Sequence, residues 1–114
     1  MKPIEVKEVQ KQIEGFFNKD VYIHLETTNG AYAVHTGERT FSVGAYIRNT
    51  KVRISTGKIT GNGPYRVGLK TELGWIYAEG ITDWVVDEKG RLLMAGHEKD
   101  GKLGVALQLS NEPF

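Results

Sequence analysis

Apolar and polar residues alternate along most of this chain, a pattern in which every second side chain faces the same side of a β-strand. The alternation recurs in short runs separated by turn-forming residues: 21–27, 39–48, 51–55, 65–70, 73–79, 81–86, 91–97 and 103–109. Asn49-Thr50 is predicted to end the second strand before the third begins. Strands of this length at this spacing favour an antiparallel sheet that closes or nearly closes.

The N-terminal residues 3–17 show the period of a helix instead. Their apolar side chains recur every three to four positions and so share one face: Val6, Val9, Ile13, and Phe16 or Phe17. We expect this helix to cover one face or end of the sheet; the alternative is an amphipathic helix that binds a partner. The chain is therefore predicted to be a single domain, residues 1–114, of the mostly β (α+β) class, with an N-terminal helix and a barrel-like antiparallel sheet of about eight strands.

Asn29-Gly30 lies between two alternating runs and is the strongest short signal for a two-residue hairpin loop. In that register His24 would face His35, with Cβ atoms about 4.5–5.5 Å apart, and Glu26 shares the strand face of His24. Two histidines and a carboxylate can hold a metal ion with open positions, which makes a small metal-dependent enzyme one hypothesis. The alternative is a pair of surface or partly buried histidines that hold no metal.

Charge is unevenly distributed along the chain. Residues 39–71 carry seven basic side chains and no Asp or Glu, which leaves eight bases against all 14 acids elsewhere. If the apolar residues of these strands face the core, the opposite face presents a cationic set beside an aromatic ring: Arg48, Arg53, Arg66, Lys70 and Tyr46. Such a surface binds phosphates, carboxylates or a nucleic-acid backbone, and Tyr46 can stack on a base or sugar. The alternative is that acids from residues 72–114 pair with these cations across neighbouring strands.

Two further features permit more than one interpretation. His97 stands beside a turn that contains Glu98 and Asp100, so it is either an acid–base group near a carboxylate or a solvated turn residue. Three aromatic residues are either core and rim residues or a wall on which a ligand stacks at the mouth of a barrel: Trp75, Tyr77 and Trp84.

Composition excludes several classes of protein. Hydrophobic residues make up 39% and charged residues 25% of the 114 positions, which is typical of a globular domain. The absence of cysteine excludes disulfides, thiolate nucleophiles and cysteine-ligated metal sites. No apolar run approaches the roughly 20 residues of a membrane span, and the N-terminus lacks the apolar region of a signal peptide. We therefore expect a cytoplasmic protein without a membrane partner or a cofactor.

Six segments that span nearly the whole chain resemble the YojF family of small proteins from bacilli: KDVYIHLETTNGAY, SVGAYIRN, GKITGNGPYRVGLK, LGWIYAEG, GRLLMAGH and VALQLSNEPF. The resemblance implies a compact β-rich, barrel-like domain and carries over no catalytic residues. It also implies a genomic context beside an LmbE-like deacetylase of bacillithiol synthesis. The first functional hypothesis is thus a non-enzymatic binding or accessory module for a small anionic ligand or for that deacetylase, with a homodimer as a further expectation.

Overall fold

The structure is a computed structural model that describes residues 1–28 and 44–114. Strands account for most of these residues, and a single short helix precedes the long strands. The elements in chain order are β1 Lys2–Pro3, α1 Val6–Glu14, β2 Asp20–Thr28, β3 Gly44–Thr60, β4 Tyr65–Thr71, β5 Gly74–Ile81, β6 Asp83–Val86, β7 Leu92–His97 and β8 Leu103–Ser110. No helix in the described ranges is long and apolar enough to cross a membrane.

The eight described strands form one antiparallel sheet with the order β1-β6-β7-β8-β2-β3-β4-β5. The sheet curls into a half-barrel, so that β5 packs against β7 and β8 although β4 is its only hydrogen-bonded neighbour among the described strands. The chain passes directly from β5 to β6 through Thr82, whose N–H donates to Ala95 O at 2.9 Å. The predicted mostly β, barrel-like fold is confirmed, and its open seam lies along β5.

The helix α1 covers the inside of this curl, as the spacing of its apolar residues predicts. Val9 and Ile13 are fully buried, and burying a side chain of this size contributes about 1.5–3 kcal/mol. The Gln10 side chain fixes the helix to β3, because its amide donates to Gly57 O and accepts from Ile59 N–H, both at 3.0 Å. The helix ends at Glu14, earlier than predicted, and the buried Phe16 packs from the segment that follows it.

The predicted break at Asn49-Thr50 is wrong, since β3 runs without interruption for 17 residues. Asn49 instead forms a β-bulge: Ile23 of β2 pairs with Thr50 while His24 pairs with Arg48. Its φ of 62° lies in the left-handed region, which Asn tolerates better than most residues. An extra residue in one strand increases local twist rather than ending the strand.

The predicted hairpin register around His24 is also wrong. Residues Tyr22–Thr27 of β2 pair with β3 on one edge and with β8 on the other. The cross-strand neighbours of His24 are therefore Arg48 and Gln108. Local turn chemistry favours the hairpin, but the paired strands come from distant parts of the sequence. Asn29-Gly30 and His35 lie outside the described residues.

Candidate functional site

The cations of the basic stretch lie on the outer face of the sheet, as the alternation predicts. In β3, Val52 and Ile54 point into the hydrophobic core, and the intervening Arg53 is exposed. The set does not converge on one place, however. Arg48 lies near the start of β3, whereas Arg66 of β4 pairs with Thr60 at the end of β3. At about 3.3 Å per residue, Arg48 and Thr60 are about 40 Å apart along the strand. The predicted surface is therefore two separate sites.

Acidic residues pair with part of this set. Arg53 Nε donates to Asp20 Oδ1 at 3.2 Å, and Arg66 Nε donates to Glu79 Oε1 at 3.2 Å. All four side chains are about half exposed or more, and exposed ion pairs contribute only about 0–1 kcal/mol. Such pairs can exchange for a ligand at little free-energy cost, so pairing weakens the cationic surface without removing it.

The first site surrounds His24, and the ring of Phe114 packs against it. Arg48 Nη1 donates to His24 Nδ1 at 3.1 Å, and His24 Nε2 lies 2.9 Å from Glu26 Oε1. Since a guanidinium can only donate, His24 Nδ1 accepts from Arg48, and His24 Nε2 is directed at Glu26. The Phe114 ring lies beneath the guanidinium groups of Arg48 and Arg91, 5.1 and 5.5 Å from the ring centroid.

Arg48 is exposed, but its guanidinium is engaged by His24 and by the Phe114 ring. His24 is only 6% exposed, and Phe114 N–H is anchored to Asn49 Oδ1 at 2.7 Å. Within the described ranges, no group of three or more His, Asp or Glu side chains could hold a metal ion. Of the predicted metal ligands, His24 and Glu26 are adjacent and hydrogen-bonded to each other, while His35 lies outside the described residues.

The second site is an open surface on the outer side of β3, β4 and β5, here called the aromatic–basic face. It consists of Lys58, Arg66, Lys70, Trp75 and Tyr77. The two aromatic rings are stacked, with centroids 5.6 Å apart and planes 5° from parallel, and they remain 53% and 47% exposed. The Arg66 guanidinium lies 4.3 Å from the Tyr77 ring centroid. Four of these residues, all but Lys70, line a shallow cavity of about 220 Å³.

A glycine makes this aromatic surface possible. Gly68 pairs with Tyr77 across β4 and β5, and a Cβ at position 68 would lie 2.9 Å from Tyr77 Cε1. The Tyr77 ring therefore rests against the β4 backbone, where any larger residue would displace it. The sequence pattern places Trp75 and Tyr77 on one side of a strand, but only the strand order β3-β4-β5 brings them beside Lys58, Arg66 and Lys70.

His97 has a carboxylate partner that its sequence neighbours do not supply. Its Nδ1 lies 2.8 Å from Asp83 Oδ2, and the Thr82 hydroxyl donates to the same oxygen at 2.8 Å. Burial alone would raise the pKa of Asp83, but the hydrogen bonds from Thr82 and His97 outweigh it and lower that pKa. Asp83 is thus ionised near neutral pH, and His97 Nδ1 carries the donated hydrogen.

These features define a small half-barrel β protein with a basic, aromatic outer face. The chain belongs to the family described as "Protein of unknown function (DUF1806)", whose model matches residues 3–114. It is 58% identical over 114 residues to "Uncharacterized protein YojF" of Bacillus subtilis (strain 168), covering 100% of this chain and 98% of that protein. The predicted resemblance is thereby confirmed.

The fold also matches a solved structure. "Crystal Structure of Bacillus subtilis YojF protein" superposes with a TM-score of 0.83 at 55% sequence identity, over 99% of this chain and 95% of that one. Neither relative's description assigns a ligand, partner or reaction. The LmbE-like deacetylase, the bacillithiol context and the homodimer stay predictions from the resemblance and the sequence.

Proposed function

We propose that this protein is a non-enzymatic binding module that takes a small anionic ligand on its aromatic–basic face. The observation that carries the proposal is the exposed, stacked pair of Trp75 and Tyr77 on the same strand face as three cations. A ligand with a flat ring and a phosphate or carboxylate matches both features. Aromatic rings stack on a base at about 1–3 kcal/mol each, and guanidinium groups bind such anions through paired hydrogen bonds.

The local charge supports an anion rather than a cation on this face. Within the described ranges, Lys58 and Lys70 form no ion pair, and the only ion-pair partner of Arg66 is the exposed Glu79. Arg66 is also held over the Tyr77 ring, which orients its guanidinium before a ligand arrives. A preoriented side chain loses less conformational entropy on binding, so Arg66 is the expected centre of anion recognition.

Tryptophan fluorescence provides a direct assay, because Trp75 is half exposed while Trp84 is buried. Trp84→Phe leaves Trp75 as the only tryptophan and removes a buried Nε1–H that has no hydrogen-bond partner among the described residues. Adenosine 5′-monophosphate is a suitable probe, with adenosine and inorganic phosphate as its two parts. We expect the monophosphate to quench Trp75 at lower concentration than either part, and added salt to weaken the effect.

Two lysine variants on the outer face provide a matched comparison. Lys70→Ala removes a charge within the aromatic–basic face, whereas Lys51→Ala removes one from β3 outside it. We expect Lys70→Ala to weaken monophosphate binding by about fivefold, the effect of one exposed charge at about 1 kcal/mol, and Lys51→Ala to change it little. Equal effects of the two variants, or equal quenching by adenosine and its monophosphate, would contradict the proposal. Much tighter binding of oligonucleotides would instead indicate a single-stranded nucleic-acid site.

A further inference from the structure

A cavity lies at the open seam of the half-barrel, between β5 on one side and β2, β7 and β8 on the other. Its volume of about 490 Å³ falls within the range of small-molecule sites. Three glycines, which have no side chain to fill the space, line the cavity: Gly80, Gly96 and Gly104. Apolar side chains also line it: Leu25, Ala78 and Val105. We infer that this seam cavity is a second binding site, for a small organic amine, with His97 as the hydrogen-bond acceptor.

His97 lines the cavity with a fixed ring orientation. Its backbone N–H donates to Thr82 Oγ at 2.9 Å, and its Nδ1–H donates to Asp83. Asp83 does not line the cavity, so the edge of the ring that carries Nδ1 is engaged elsewhere. The lone pair on Nε2 has no hydrogen-bond partner in residues 1–28 and 44–114, which leaves it available to a donor group in the cavity.

The charges that line the seam cavity identify the class of ligand. Glu98 and Glu79 contribute to the lining, with Glu79 also paired to Arg66 on the neighbouring face, and no Lys or Arg among the described residues does. With His97 Nε2 they form a set of hydrogen-bond acceptors, which an ammonium group satisfies and a carboxylate or phosphate does not. The apolar lining suits a short hydrocarbon chain attached to that group. This preference is opposite in sign to that of the aromatic–basic face, so the two sites select different molecules.

Three molecules with hydrocarbon chains of similar length show how binding depends on the charge of the ligand: butylammonium, butanol and butyrate. The readout is the ¹⁵N chemical shift of His97 Nε2 in the whole protein, identified by its loss in His97→Gln. We expect saturable shifts with butylammonium, weaker shifts with butanol and none with butyrate. Asp83→Ala should abolish the preference, because it removes the acceptor that fixes the His97 ring.

Two glutamates provide the matched comparison. Glu98→Gln removes a charge from the seam cavity, while Glu88→Gln removes one from the β6–β7 turn outside it. We expect Glu98→Gln to weaken butylammonium binding by about threefold to fivefold, as for one exposed charge, and Glu88→Gln to leave it unchanged. Equal binding of butyrate, equal effects of the two variants, or no shift of His97 with butylammonium would each overturn the inference. Quenching of Trp75 by adenosine 5′-monophosphate is measured separately, so this inference and the proposed function can fail independently.

Discussion

Gly96→Ala tests the close approach that curls the sheet and forms one wall of the seam cavity. A Cβ added to Gly96 would overlap Gly80 O of β5 and lie 2.7 Å from Val105 Cγ1 of β8. Non-bonded carbon atoms ordinarily lie about 3.5–4.0 Å apart. The carbonyl of Gly80 belongs to the backbone and cannot rotate away, so β5 itself would have to move from β7.

The expected loss of stability follows from that geometry. Inserting a methyl group into a well-packed site typically costs about 1–3 kcal/mol, and a backbone obstacle places Gly96→Ala at the upper end, about 3 kcal/mol. With a urea dependence of about 1.5 kcal/mol per molar for a domain of this size, the unfolding midpoint should fall by about 2 M. Equilibrium urea unfolding followed by circular dichroism measures this shift.

Gly104→Ala is the matched control on the neighbouring strand β8. The nearest atom to a Cβ at this position is Gly96 O at 3.7 Å, which is ordinary contact, and its φ is not in the left-handed region. Alanine at a compatible glycine position stabilises by about 0.4–1 kcal/mol through the unfolded state, so the midpoint should hold or rise. If Gly96→Ala unfolded at the same urea concentration as Gly104→Ala, β5 would not pack on β7 as described.

Two further predictions concern Asp83 at the start of β6 and the C-terminal residue Phe114. Hydrogen bonds to Asp83 lower its pKa in the folded state, so its ionised form stabilises the fold above the unfolded value near pH 4 and loses that contribution as the pH falls through the folded value. The urea-midpoint difference between wild type and Asp83→Asn should therefore shrink from about pH 6 toward about pH 3; a constant or growing difference would contradict this. Phe114→Ala should cost about 1–2 kcal/mol of unfolding free energy, because it removes two cation–π contacts, with Arg48 and Arg91, of about 0.5–1 kcal/mol each. If Phe114→Leu unfolded at the wild-type midpoint, apolar packing rather than the guanidinium contacts would hold the ring.

Local periodicity predicted which side of each strand is buried wherever the strand lies over the core. In β4, Val67 and Leu69 are fully buried while Arg66 and Lys70 are exposed, as their alternation indicates. The same reasoning fails for Ile47, which is predicted to face the core and is 52% exposed. The period of two assigns residues to faces, but it carries no information on where along a long strand the core ends.

The sequence by itself determined most of the strand segments, the helix face, the outward direction of the cations and the family, but it placed a false break within β3. Only the tertiary structure decided which strands lie side by side, and therefore which chemical groups meet. The hairpin signal of Asn29-Gly30 favours His35 opposite His24, yet β3 and β8 occupy both edges of that strand. The partner of His97 is likewise Asp83, 14 positions away, rather than Glu98 or Asp100. Strand pairing in a curled sheet is decided by burial over the whole domain, so no local window of sequence contains it.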